Sequence, residues 1–155
     1  MNRKKPSQDQ RQTTDWLLLH YKLPGKPSAL RVYIWRKLKR MGAILLHDAI
    51  WVVPETTRTA EQYQWLTVEV QEMGGEAYYW RATSIMEEHN GAIIEKFNKQ
   101  VDDVYSKLLK KIDKPGADLQ EISQQYQQAA VQDFFHSELG KRVREKLTSK
   151  RGEQT

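Results

Sequence analysis

Between residues 16 and 82 the hydrophobic period switches four times between strand-like and helix-like, and each switch falls at a proline or glycine. Such punctuation leaves few folds open, because a period of two and a period of 3.6 bury different faces and neither tolerates the other. Residues 16–23 set Leu17, Leu19, Tyr21 and Leu23 on one face and read as a first strand, closed by Pro24 and Gly25. Ser28 then offers a helix cap and Gly42 a left-handed stop, with Leu30, Ile34, Leu38 and Met41 as the buried stripe between them. Residues 43–53 are apolar but too long for one strand, and His47–Asp48 marks a kink, bulge or very tight turn that splits them into 43–47 and 49–53. Pro54 ends the run. Thr59 with Gln62 reads as a capping box opening a second helix that buries Tyr63, Leu66, Val70 and Met73 and stops at Gly74–Gly75, and residues 76–82 carry the aromatic content of a strand.

Strand, helix, strand pair, helix, strand predicts an α+β fold: a ferredoxin-like antiparallel sheet with two helices on one face. The other face of such a sheet needs a cover, and the rest of the chain or a partner subunit is the candidate. From residue 84 the pattern is helical. Ile94, Phe97, Val101, Val104, Leu108 and Ile112 form one stripe, Leu119, Ile122 and Tyr126 a second after the break at Pro115–Gly116, and Leu139, Val143 and Leu147 a third after Asp133–Phe134–Phe135. The expected organisation is a flexible arm over residues 1–14, a core over 15–83, a helical extension over 84–148 packed on the core or a partner, and a flexible tail over 149–155.

Chemistry is narrowed mostly by what is missing. There is no cysteine, which removes thiolate metal sites, disulfides and cysteine nucleophiles. The basic N-terminus is followed by polar residues and not by an apolar stretch, so a cytoplasmic protein without membrane association is expected. His20, His47, His89 and His136 have no helical metal-site spacing, no serine sits in a nucleophile elbow, and the pairs Glu87–Glu88 and Asp102–Asp103 diverge by about 100° on a helix. Neither an enzyme nor a cofactor is expected.

What remains is charge. Lys and Arg number 25 against 20 Asp and Glu, and from Lys26 to Arg40 there are six basic residues and no acid. The stripe of helix one forces Arg31, Trp35, Arg36, Lys39 and Arg40 to the sides and back, and Lys37 joins them in the same basic run. Cations that neutralise phosphates beside a planar ring are what a nucleic-acid surface needs, so these six are the candidate DNA contacts. A solvated basic face, with Trp35 covered by the C-terminal helices or a second subunit, explains the same residues. Trp65 also points away from its helix's stripe, and two outward tryptophans suggest an interface such as a homodimer.

A family resemblance rests on residues 16–24, on 31–38 leading to Gly42–Ala43, and on Ile50 to Pro54, with Phe97–Asn98, Tyr105 and Asp133–Phe134–Phe135 in the helical half. Together they resemble the N-terminal domain of the chromate-resistance regulator ChrB. The resemblance implies a chromate-responsive transcriptional regulator with a basic, DNA-contacting N-terminal portion. The sequence stops soon after the helices, without the large C-terminal domain of longer members, so chromate sensing is not carried over and a separately encoded sensor domain becomes a possible partner. The strand order is also similar to the central domain of the phenylacetate-degradation repressor PaaX and to small CRISPR adaptation nucleases. In those nucleases a metal-binding aspartate follows a tyrosine at the end of the first strand. Here Tyr21 is followed by Lys22, and nuclease activity is not implied.

Overall fold

A computed structural model describes residues 14–25 and 29–153. The arm through residue 13, the Ser28 cap with Lys26 and Pro27, and residues 154–155 lie outside the described residues. Two compact units emerge: residues up to 38 with 45–90, and residues 39–44 with those from 91 onward.

The first unit is built on a four-stranded sheet in the order β2-β3-β1-β4. Its strands are β1 (Asp15–Lys22), β2 (Ile44–Leu46), β3 (Ile50–Pro54) and β4 (Glu76–Thr83), with α1 (Ala29–Arg40) and α2 (Thr57–Glu72) as the crossovers. β1 runs antiparallel to both neighbours, pairing Leu17 with Val53 and Leu19 with Trp51 on one side, and Leu18 with Trp80 and His20 with Tyr78 on the other. Order and direction are those of the ferredoxin-like arrangement predicted from the punctuation. Leu17, Leu19, Ile34, Leu38, Trp51, Val53, Tyr63, Leu66 and Val70 are buried between helices and sheet. The hydroxyl of Tyr63 donates to the Trp51 carbonyl at 2.9 Å, so this fully buried ring brings its polar atom in satisfied.

Local chemistry explains the one helix start the sequence misplaces and two breaks it marks. The cap of α2 lies three residues before the expected Thr59: it is Thr56, its hydroxyl accepting from the Thr59 amide at 3.0 Å while the Thr59 hydroxyl accepts from the Thr56 amide at 2.8 Å. Thr59 is therefore the inner half of a capping box, and a second threonine does what Gln62 was expected to do. At the far end Gly74 has φ +85°, its N–H reaches Gln71 and that of Gly75 reaches Val70, which is a Schellman closure. The break at His47–Asp48 resolves as a two-residue hairpin. Both residues have positive φ (50° and 57°) and the Ala49 amide donates to Leu46, the pattern of a type I′ turn.

The second unit contains α3 (Glu87–Ile112), of which the residues to Asn90 count with the first, followed by α4 (Leu119–Val131) and α5 (Glu138–Glu153). It has a hydrophobic core of its own, formed by Val101, Tyr105, Leu108, Ile112, Ile122, Ala129, Val143 and Leu147. The expected stripe of α3 is corrected at one position: Val104 is exposed and Tyr105 is buried. Positions three and four beyond Val101 both lie near the buried face, and Tyr105 takes it because its hydroxyl finds Asp133 at 3.1 Å. A Cβ at Gly140 would come within 2.8 Å of the Tyr105 ring, so the close approach of α5 to that ring needs a glycine. Phe134 and Phe135 set their edges against Phe97 at 5.7 and 6.2 Å between centroids. α5 continues to Glu153, past residue 148. Among the described residues no helix is long and apolar enough to cross a membrane.

Candidate nucleic-acid interface

α1 has no acidic residue in its twelve positions, and five of them are Arg or Lys. Successive residues turn by about 100°, so those four apart stack into ridges along the helix. With Ile34 and Leu38 buried, three ridges face outward or sideways. Val32, Arg36 and Arg40 form the outermost. Arg31, Trp35 and Lys39 form one flank, and Tyr33 and Lys37 the other.

The flanks differ in their chemistry. Lys37 is committed within the first unit, its Nζ lying 2.6 Å from Glu69 Oε1 on α2 and 4.7 Å from the centre of the Tyr33 ring. The Glu69 hydrogen bond, and after it the one to Tyr33, hold the Lys37 ammonium above its ordinary pKa. The second oxygen of Glu69 is buried without a hydrogen-bond partner among the described residues, which makes this pair part of the helix-to-helix contact. Lys37, one of the six candidate DNA contacts, is thus engaged inside the protein.

On the opposite flank Arg31 and Trp35 line a shallow cavity of about 430 Å³ with Tyr21, Lys22, Leu23 and Gly25. Burial raises the pKa of the Tyr21 hydroxyl, against the opposing pull of the Trp51 side chain and of the Arg31 charge. Trp35 remains 48% exposed, so a substantial part of the indole faces solvent beside Arg31 and Lys39. Arg36, Lys39 and Arg40 are exposed, and the carbonyls of Lys39 and Arg40 accept from the Gln132 side chain at 3.4 and 2.8 Å. That contact satisfies the end of α1 without using the cationic heads, which also complement the negative end of the helix dipole.

α2 presents a different surface. Trp65 is 62% exposed and Val68 follows it on the outward side, with no cation beside them in the same turn. The acidic pairs do not converge: Glu87 and Glu88 are exposed, and Asp102 accepts the Ser137 hydroxyl while Asp103 faces solvent. Among the described residues no three His, Asp or Glu side chains are grouped as metal ligands would be.

One grouping escaped the sequence. His20, Tyr78 and Trp80 meet on the sheet face turned away from α1 and α2. Their only sequence signal is the alternation that puts Tyr78 and Trp80 on one side of β4; which strand lies beside them depends on register. The family model described as Protein ChrB, N-terminal, matches residues 31–145. No curated protein and no solved structure matches the chain.

Proposed function

Since the chain belongs to the ChrB N-terminal family, which is linked to chromate resistance, we propose that it acts by binding duplex DNA, as a regulator-type protein and not as an enzyme. The observation that carries this reading is the acid-free outer surface of α1. Arg36 and Arg40 sit on one ridge, with Arg31, Trp35 and Lys39 on the next, so four cations and a half-exposed indole share one side of a single helix. Cations in that spacing suit phosphates along a duplex, and the indole can pack against a sugar.

The test is the salt dependence of duplex binding. With about four phosphates neutralised, the slope of log affinity against log salt is expected near −3.6, at about −0.9 for each. Replacing Arg36, Lys39 and Arg40 together by Gln should bring it to about −1. A slope unchanged by the triple substitution places the duplex surface elsewhere, with the basic residues 141–151 of α5 the next candidate. Absence of binding at low salt removes the reading.

A second reading draws on Trp65 and Val68. An exposed tryptophan beside an exposed valine suits a protein partner better than a phosphate backbone, either a second copy of this chain or a separately encoded sensor domain. Trp65→Ala weakening assembly while leaving the salt slope unchanged would assign the two helices different partners.

A further inference from the structure

The sheet face turned away from α1 and α2 carries three rings in contact. Trp80 Nε1–H donates to His20 Nε2 at 2.8 Å, with the two ring planes only 7° apart and their centroids 6.2 Å apart. An indole N–H and an imidazole lone pair both lie in the planes of their rings. A bond between nearly parallel rings therefore sets them side by side and not one above the other. Tyr78 extends the surface, tilted 25° from His20 and 26° from Trp80 at centroid distances of 5.6 and 6.4 Å. The result is a nearly continuous aromatic platform across β1 and β4.

The platform is open. Tyr78 and Trp80 are each 55% exposed, whereas toward β3 the same face closes over Trp16 and Val52, and the Trp16 N–H is held by Asn90 at 2.8 Å. Its polar edge is largely spent, because the Trp80 donor and the His20 acceptor satisfy each other. A ligand here is recognised by its flat face. Lys22 follows His20 on the same side of β1, about 7 Å along the strand, and is exposed; Glu76, opposite it in register, is the one acid that β1 and β4 place on this side.

Exposed coplanar rings with a cation at one end match the chemistry of single-stranded nucleic acid, whose bases offer free π faces and whose phosphates sit beside them. Duplex DNA offers phosphates but no free π face, since its bases already stack on one another. We propose that the Tyr78–His20–Trp80 platform stacks unpaired bases of single-stranded DNA, with Lys22 against the backbone. The three rings lie on the opposite face of the sheet from α1, while Lys22, at the end of β1, also borders the cavity beside Arg31 and Trp35; the proposal does not rest on the duplex reading.

The experiment measures binding of the full chain to a labelled oligothymidylate of about ten nucleotides by fluorescence anisotropy. Trp80→Leu and Tyr78→Leu should each weaken binding by about tenfold or more, because they keep apolar bulk and lose the π face. Trp80→Phe, which keeps a ring, should retain most of the affinity. The ratio between wild type and Trp80→Leu should be unchanged in the background of the α1 triple Gln substitution, which separates this site from the duplex surface. Should Trp80→Leu fail to fold, quenching of tryptophan emission by the oligonucleotide, and loss of that component in Trp80→Phe, decides the same question. Equal binding by wild type and Trp80→Leu would overturn the proposal, as would no binding. So would a preference above about tenfold for oligouridylate, which would mean the 2′-hydroxyl is read, or a dimer broken by Tyr78→Leu in a chain that binds no oligonucleotide.

Discussion

His47 and Asp48 hold the β2–β3 turn in a left-handed conformation that suits Asn and Gly better than His. Each non-glycine residue in that region carries a steric cost of roughly 1–2 kcal/mol, reduced for Asp by its short polar side chain. Asp48→Gly is therefore expected to raise stability by about 0.5–1 kcal/mol, since relief of strain exceeds the added freedom of the unfolded chain. Thermal unfolding followed by circular dichroism measures it. A lower midpoint would show that the Asp48 side chain stabilises the turn by more than its backbone strains it.

Among elements, α1 shows what a basic helix hides from its sequence. Lys37 is indistinguishable from its cationic neighbours until α2 brings Glu69 to 2.6 Å. Lys37→Gln leaves a partly buried carboxylate with no cation and should cost about 1 kcal/mol, whereas Arg36→Gln, on an exposed ridge, should stay within about 0.5 kcal/mol of wild type. Parallel urea unfolding of the two variants tests the difference, and equal midpoints would show the Lys37–Glu69 pair to be inert. Local signals were legible in the sequence: the Ile34 and Leu38 stripe, the stops at Gly42 and Gly74, and the break at His47. These depend on neighbours a few residues away. The Thr56 cap was missed because Thr59 fits either half of a capping box, and Tyr105 because both it and Val104 lie near one helix face. The Lys37–Glu69 and His20–Trp80 contacts join residues 32 and 60 positions apart, and pairings of that range are decided by register and packing, which no local pattern records.

At the scale of the molecule, each unit buries one large tyrosine. Burial raises the pKa of Tyr63 in the first, and burial followed by the Asp133 charge raises that of Tyr105 in the second, both above the ordinary value of 10.0. The sign follows from where the proton is lost. Above pH 10 the unfolded chain ionises these hydroxyls while the folded chain keeps them neutral, so stability present below that pH falls as pH rises toward the folded values. The loss should approach roughly 1.4 kcal/mol per pH unit for each residue. Denaturant midpoints between pH 9 and 11.5 should fall for wild type, and less steeply for Tyr63→Phe, after allowing for the hydrogen bond that variant gives up, worth about 1 kcal/mol. Parallel slopes would show that Tyr63 already ionises in the folded state.

The central position of β1 also bears on synthesis. Of the four strands β1 leaves the ribosome first, yet its partners are β3 and β4, and His20 meets Trp80 only 60 residues later. At about 5–20 residues per second that interval is roughly 3–12 seconds. Until β3 follows, Trp16 to Leu19 and Leu23 remain an unpaired apolar segment, and the β4 side of the strand stays open for the whole interval, while the β2–β3 hairpin closes locally through its two-residue turn. The nascent chain thus carries its stickiest strand without a partner for longest, which makes β1 the segment where chaperone capture or misassembly would begin.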